Sequence, residues 1–167
     1  MDRTRVTRPA LATLALLLAA GCGANDTGGE VGGGGAPPLR PGATTAPAGA
    51  TILAADLAGN EEVPGPGAVD GAGTARLVLT PDGKVCAELA TTRVDEATAA
   101  HVHTGGKGVA GPVVITLVTP KEGRASGCVS ADPAVVAKVA ADPPTAYVNV
   151  HTAAQPAGAV RGQLTKA

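Results

Sequence analysis

From Thr51 onward, turn residues interrupt the chain about every 8–12 residues, and the short runs between them alternate apolar with polar side chains. Such runs are typical of strands that bury one face. The 24 glycines and 14 prolines exclude a long helical bundle. Because the chain has one Tyr and no Phe or Trp, its core must be aliphatic. The strands that this pattern predicts are 51–57, 73–80, 84–90, 99–104, 112–119, 126–129, 146–152 and 158–164.

Two local signals complete the fold prediction. The runs on either side of the Pro-Asp-Gly turn at 81–83 predict a β-hairpin. Residues 133–141 break the alternation: Asp132 is a suitable N-cap, Pro133 suits the first helical position, and Pro143 ends the run. We therefore expect one short helix near 133–141. The fold class is all-β, an immunoglobulin-like antiparallel sandwich or barrel of about seven to eight short strands.

The N-terminal segment carries a targeting pattern. Residues 1–21 have a basic start, an uncharged apolar run and small residues before a cleavage site, as in a secretory signal peptide. Cys22 follows at once, which resembles the lipobox of bacterial lipoproteins, so we expect palmitate-type acylation of its thiol. A plain signal peptide cut near Ala24 is the alternative. Residues 22–50, rich in Gly and Pro, predict a disordered tether. The protein is then an extracytoplasmic, membrane-anchored lipoprotein of the bacterial cell surface or periplasm.

Two cysteines remain beyond Cys22, at positions 86 and 128. Thiols oxidise in an exported chain, and an aliphatic core without aromatic residues gains from a covalent link. We expect a disulfide between Cys86 and Cys128. Two free thiols or half of a metal site are the alternatives.

Five motifs resemble the CHRD domain, the repeat first named in chordin. In order they are LAGNEEVP (57–64), AHVHTG (100–105), GPVV (111–114), YVNVHT (147–152) and PAGAVRGQL (156–164). The resemblance places the domain at 51–167 and implies a β-rich, immunoglobulin-like or barrel fold in secreted and cell-surface proteins. It favours a non-enzymatic surface binding or structural module as the function.

All three histidines of the chain lie in these motifs. His101 and His103 alternate on one predicted strand, so they share a face, and the strand of His151 can pass alongside. Three imidazoles bind copper or zinc, which makes a metal-binding protein the second function. The third is a metal-dependent redox enzyme, because His-Val-His also resembles a strand of copper/zinc superoxide dismutases, although the zinc loop and the other histidines of that family are absent. Structural histidines bonded to carbonyls or carboxylates are the competing interpretation.

Charge and composition define the remaining expectations. Arg161 lies in a run of Val, Gly and Leu, so we expect a buried ion pair with Glu62. A formal net charge of −1 and a single aromatic residue argue against a nucleic-acid partner. The glycine-rich turn at Lys107 lacks the Ser or Thr of a phosphate-binding loop. The expected partners are the membrane, through the lipid anchor, and an unidentified protein or metal ion. We expect a monomer.

Overall fold

The computed structural model describes residues 46–167, so the signal peptide, the acylation site Cys22 and residues 22–45 of the tether lie outside the described residues. Within residues 46–167, one α-helix, α1 (Pro133–Ala141), and two short 3₁₀ turns (Gly59–Glu61 and Pro143–Thr145) accompany the strands. In this described part, no helix has the length and apolarity that a bilayer-spanning segment needs. The strands are β1 (Thr51–Ala58), β2 (Ala72–Leu79), β3 (Lys84–Thr92), β4 (Ala97–Thr104), β5 (Val113–Thr116), β6 (Arg124–Ser130), β7 (Ala146–Thr152), β8 (Val160–Gln163) and β9 (Thr165–Lys166).

The strands form one antiparallel sheet that curls on itself. Their order is β5-β4-β7-β8-β1-β2-β3-β6, and β9 pairs with β1. The two end strands approach each other because Val118, just beyond β5, packs over Gly127 of β6. The result is a nearly closed barrel. The predicted all-β class, an antiparallel sandwich or barrel with one helix, is confirmed.

Most predicted elements agree with the structure within two residues at each end. The helix has the predicted bounds, and Asp132 Oδ1 accepts a hydrogen bond of 2.8 Å from the Ala134 amide, as an N-cap does. The strand predicted at 112–119 is wrong in length, since β5 ends at Thr116. One bond to β4 follows, from the Leu117 amide to the Ala100 carbonyl at 2.9 Å, and Val118 then packs against Gly127 of β6 instead of extending the strand. The sequence prediction also missed β9.

Aliphatic side chains fill the barrel interior. Along each strand every second residue points inward, which buries Leu53 of β1, Leu77 of β2, Val85 of β3 and Val148 of β7 completely. The helix adds Val136 to the same cluster. The core is therefore assembled without aromatic side chains, as the composition requires.

The predicted disulfide is formed on the outer face of the barrel. Cys86 of β3 and Cys128 of β6 stand directly opposite each other, with an S–S distance of 2.04 Å. Their inward-pointing neighbours Val85 and Val129 face the interior cluster. The bond thus links the last two strands in the order of the sheet from the outside of the barrel.

Candidate metal centre

The outer face of β4, β7 and β8 carries polar side chains that are buried or half-buried. In β4 the core takes Ala100 and Val102, and in β7 it takes Val148 and Val150, so the residues between them point outward. Cross-strand pairing then brings distant parts of the sequence together: His101 faces Asn149, and Asn149 faces Arg161. We call the following residues the polar layer: His101, His103, Tyr147, Asn149, His151, Arg161 and Gln163.

Loops cover the polar layer and explain why outward-pointing residues are buried. The loop 59–71 folds back over the barrel, because the Ala68 amide donates to the Ala159 carbonyl at 2.8 Å. The loop 105–112 returns to β4, where the Thr104 amide donates to the Pro112 carbonyl at 3.1 Å. A third loop, 153–159, follows β7 directly. As a result Asn149 is 3% exposed and Arg161 is 2% exposed.

The three histidines converge within this layer. The ring centroids of His101 and His151 lie 5.0 Å apart, those of His101 and His103 lie 5.7 Å apart, and those of His103 and His151 lie 6.1 Å apart. One ligand nitrogen from each ring lies within 4.8 Å of the other two. Within residues 46–167 this is the one group of three or more His, Cys, Asp or Glu side chains close enough to hold a metal ion. Pairing of β4 with β7 therefore produces the side-by-side arrangement that the sequence predicted.

Backbone carbonyls fix the tautomers of two of these rings. His103 Nδ1 lies 2.9 Å from the Gly111 carbonyl, and His151 Nδ1 lies 3.0 Å from the Pro156 carbonyl. A carbonyl oxygen only accepts, so each Nδ1 carries the proton and, in the neutral ring, Nε2 keeps its lone pair. His101 Nδ1 is buried and has no partner among the described residues. With its proton on Nε2, this ring offers a third lone pair.

All three histidines favour the neutral form. Burial lowers the pKa of His101, His103 and His151 below the usual 6.5, because the charged ring loses hydration. Mutual repulsion lowers the pKa of His101 further, and the charge of Arg161 does the same for His103. The carbonyl bonds of His103 and His151 oppose this effect only in part. Neutral imidazole is the form that coordinates metal ions.

Glu62 reaches the polar layer from the loop 59–71. Asn149 Nδ2 donates to both carboxylate oxygens, at 3.0 and 2.9 Å. Burial raises the pKa of Glu62 to about 7, although the charge of Arg161 and the bond from Asn149 both act to lower it. Desolvation dominates because the side chain lies in a residue that is only 5% exposed, so the charged form loses its hydration.

The predicted ion pair between Glu62 and Arg161 is wrong as a direct contact. Both side chains are buried as expected, yet no carboxylate oxygen lies within salt-bridge distance of the guanidinium among the described residues. The guanidinium instead stacks on Tyr147, with Cζ 3.4 Å from the ring centroid, and Nη2 donates to the Gly106 carbonyl at 2.9 Å. The tyrosine ring occupies the place beside Arg161, so the two charges interact only at longer range.

Unsatisfied hydrogen-bonding capacity is concentrated in the polar layer. Among the described residues, the buried side-chain atoms without a partner are His101 Nδ1, His103 Nε2, Asn149 Oδ1, His151 Nε2 and Arg161 Nη1. Native proteins leave few such atoms, and a cluster of them indicates a bound species. Three of the five are ring nitrogens, the atoms that a metal ion needs.

A groove lies elsewhere on the barrel. It has a volume of about 660 Å³ on the outer face of β1, β2, β3 and β6, and its lining includes Asp56, Arg76, Glu88 and Arg124. None of the predicted site residues lines it, and none of the buried atoms without a partner belongs to it in the described part of the chain. The polar layer is therefore the stronger candidate for a functional site.

An antiparallel barrel with three converging imidazoles on its outer face defines a small β domain with a candidate metal centre. A protein-family model described as CHRD domain matches residues 53–164. The chain belongs to the CHRD domain family. Neither the curated proteins nor the solved structures contain a match to this chain.

Every motif that carried the resemblance contributes to the polar layer or to its cover. The first supplies Glu62, the second supplies His101 and His103, and the third supplies the Gly111 carbonyl. The fourth and fifth supply the remaining members of the layer and the Pro156 carbonyl. Sequence reasoning missed the role of Tyr147. This residue lies on β7 and pairs with one residue of β4 and one of β8. The available signal was that the only aromatic residue of the chain stands inside a histidine-containing motif.

Proposed function

We propose that this CHRD domain is a non-enzymatic binding module and that its polar layer binds a copper or zinc ion through His101, His103 and His151. Two observations carry the proposal: one ligand nitrogen from each of the three rings lies within 4.8 Å of the other two, and each ring has a buried nitrogen without a hydrogen-bond partner among the described residues. Buried polar atoms in folded proteins are mostly paired with a protein group, a water molecule or an ion, and three such nitrogens on neighbouring rings point to a shared ligand.

The coordination geometry is within reach of small side-chain movements. Zn–N bonds of about 2.0–2.1 Å at a tetrahedral centre place ligand nitrogens roughly 3.4 Å apart. The present separations of up to 4.8 Å therefore have to close by about 1.4 Å, shared among three side chains. The carbonyl bonds to His103 and His151 keep these rings oriented while they close, as outer partners of metal ligands do.

The ligand set selects the class of metal. Three neutral imidazoles without a thiolate or carboxylate suit copper and zinc, and they give hard cations such as Ca²⁺ or Mg²⁺ no oxygen ligands. Three protein ligands also leave a coordination position open for water or an external group. This open position is what a metal-dependent redox enzyme would require, so turnover of superoxide by the loaded protein is the assay that separates the enzyme from the binding module.

The test uses the fact that Tyr147 is the only Tyr or Trp in the chain. Its ring centroid lies 4.8 Å from that of His103, so bound Cu²⁺ is expected to quench the intrinsic fluorescence of the full-length, chelator-treated protein. Zn²⁺ is measured by competition with a chromophoric chelator. His101→Ala is the cleanest variant, because no protein hydrogen bond to its Nδ1 is lost. We expect its affinity for either ion to fall by more than the ~10–100-fold that loss of an outer partner costs.

A matched control addresses adventitious binding by surface carboxylates. Glu88→Gln removes a partly exposed acid on β3, on the part of the barrel away from the histidines, and is expected to leave both titrations unchanged. Equal affinity of the wild type and His101→Ala would refute the metal site. Loss of binding in Glu88→Gln would point to nonspecific surface binding and would refute it too.

We further propose that the domain is exported and anchored by acylation of Cys22. The basic and apolar pattern of residues 1–21 supports this proposal, and so does the Cys86–Cys128 disulfide, since such bonds persist in oxidising compartments. Intact mass spectrometry of membrane fractions is the test. The wild type should carry acyl chains on a chain that starts at Cys22, and Cys22→Ser should appear unacylated. An unmodified chain starting near Asn25 would contradict the anchor.

A further inference from the structure

The chain keeps a single aromatic residue and buries it beside the metal-binding histidines. Tyr147 is 3% exposed and stands opposite His103 in the pairing of β4 with β7. Its ring stacks on the imidazole of His103, with centroids 4.8 Å apart and an angle of 10° between the planes. This contact fixes the plane in which the imidazole lies.

The hydroxyl of the same tyrosine contacts the residue that fixes the imidazole proton. The Gly111 amide donates to Tyr147 Oη at 3.1 Å, and the Gly111 carbonyl lies 3.4 Å from that oxygen. This carbonyl also accepts the bond from His103 Nδ1 at 2.9 Å. Tyr147 therefore touches both the ring of His103 and its hydrogen-bond acceptor.

The loop that carries Gly111 is held at its other end by residues of β8. Arg161 Nη2 donates to the Gly106 carbonyl at 2.9 Å, and Gln163 Nε2 donates to the Gly105 carbonyl at 2.7 Å. A side chain at position 111 would collide with the Thr104 carbonyl, so only glycine allows this close return to β4. The loop is clamped at both ends, and the tyrosine is the clamp nearest to the histidine.

We propose that Tyr147 is a positioning residue for the metal ligand His103. It holds the Gly111 carbonyl where it captures the Nδ1 proton, and this leaves the Nε2 lone pair directed into the histidine cluster. The expected effect on metal affinity rests on the proposed function. The tautomer of His103, in contrast, is a property of the metal-free protein. Outer partners that fix the tautomer of a ligating histidine typically contribute about 10–100-fold in metal affinity.

The decisive variant is Tyr147→Phe, which keeps the stacked ring and removes only the hydroxyl. The Gly111 amide then loses its acceptor, and the carbonyl is free to turn away from His103. In metal-free full-length protein, ¹⁵N NMR of the histidine rings should show His103 in one tautomer in the wild type and in a mixture of tautomers in the variant. The Zn²⁺ affinity of the variant should be about 10-fold weaker.

A hydroxyl outside the polar layer supplies the matched control. Thr165→Val removes an exposed side-chain bond from β9 to the Ala54 carbonyl, and it should change neither the tautomer nor the affinity. An unchanged His103 tautomer in Tyr147→Phe would overturn the positioning role, whether or not the wild type binds metal. Failure of the wild type to bind either ion would overturn the proposed function alone.

A second measurement covers the case in which Tyr147→Phe does not fold. Because the chain has one tyrosine, growth on 3-fluorotyrosine labels position 147 and no other site. Zn²⁺ binding at His103 should shift this single ¹⁹F resonance in the otherwise unaltered protein. A resonance that stays in place while competition shows Zn²⁺ to be bound would refute the contact between the tyrosine and the loaded site.

Discussion

Replacing Glu62 by glutamine should stabilise this protein at alkaline pH and leave it almost unchanged in acid. Glu62 is a buried carboxyl group whose pKa is raised from 4.5 to about 7. Its hydrogen-bond partner, Asn149, has an Oδ1 without a partner among the described residues. Once the Asn149 amide turns over, a protonated Glu62 or a glutamine side chain at this position can donate to that oxygen, whereas the carboxylate cannot.

The magnitude follows from the two pKa values. The folded state binds the proton more tightly than the unfolded state, so ionisation destabilises the fold as the pH rises from about 4.5 to 7. At about 1.4 kcal/mol per pH unit, the full cost approaches 3 kcal/mol above pH 7. The amide of the Glu62→Gln variant does not ionise, so the variant escapes this cost. We expect a difference in unfolding free energy near zero at pH 4.5 that grows to about 3 kcal/mol at pH 8.

The comparison must be made as a difference between the two proteins, because the histidines titrate in the same range. Burial lowers the pKa of His101, His103 and His151, so their contribution to stability is present above pH 6.5 and is lost in acid. Their effect opposes that of Glu62 in the wild type but cancels between wild type and Glu62→Gln. Urea unfolding followed by far-UV circular dichroism, with the disulfide intact, gives both free energies across this range.

Two outcomes would refute the reasoning. A free-energy difference that stays constant from pH 4.5 to 8 would show that Glu62 ionises in the folded protein as it does in water. A variant that is less stable at pH 8 would show that the charge of Glu62 is needed to balance Arg161. Asp56→Asn, which removes one exposed acid from β1, is the matched control for the loss of a negative charge.

Three further predictions concern the rest of the barrel. Replacing both Cys86 and Cys128 by Ala should lower the free energy of unfolding by up to about 4 kcal/mol, measured in urea, since the bond closes a loop with a sequence separation of 42; an unchanged midpoint would contradict this. Leu77→Ala should lower the free energy of unfolding by about 2–5 kcal/mol in the same assay, because Leu77 is fully buried. A loss below about 1 kcal/mol would show that neighbouring side chains move in to fill the cavity. Zn²⁺ affinity should fall once the pH drops through the lowered pKa values of the three histidines, because protons then compete for the imidazoles; competition titrations at pH 7 and at the lowest pH at which the protein stays folded that agree would contradict the histidine site.

Much of the fold could be predicted from local sequence signals. Alternation specifies strands such as β2 and β3 because one face must be apolar, and Asp132 with Pro133 marks the start of α1 because both fit a helix N-terminus. The order of the strands in the sheet could not be predicted from such local signals. Placing β7 and β8 between β4 and β1 depends on packing between residues far apart in the chain, which no local pattern encodes.

The candidate site shows the same limit. The spacing of His101 and His103 places both side chains on one face, and this much was predictable from strand geometry. The approach of His151 was only a conditional expectation, because it depends on the pairing of β4 with β7. The contact of Arg161 was predicted wrongly, since burial alone indicated a carboxylate partner and the stacking on Tyr147 has no counterpart in sequence spacing.

The histidines lie outside the barrel wall rather than within it. The interior keeps its aliphatic packing whatever happens on the outer surface, because the inward and outward side chains of β4 and β7 belong to separate layers. If the proposed metal site is occupied, loss of the ion should therefore leave the scaffold folded, unlike small zinc modules that collapse when stripped of their metal.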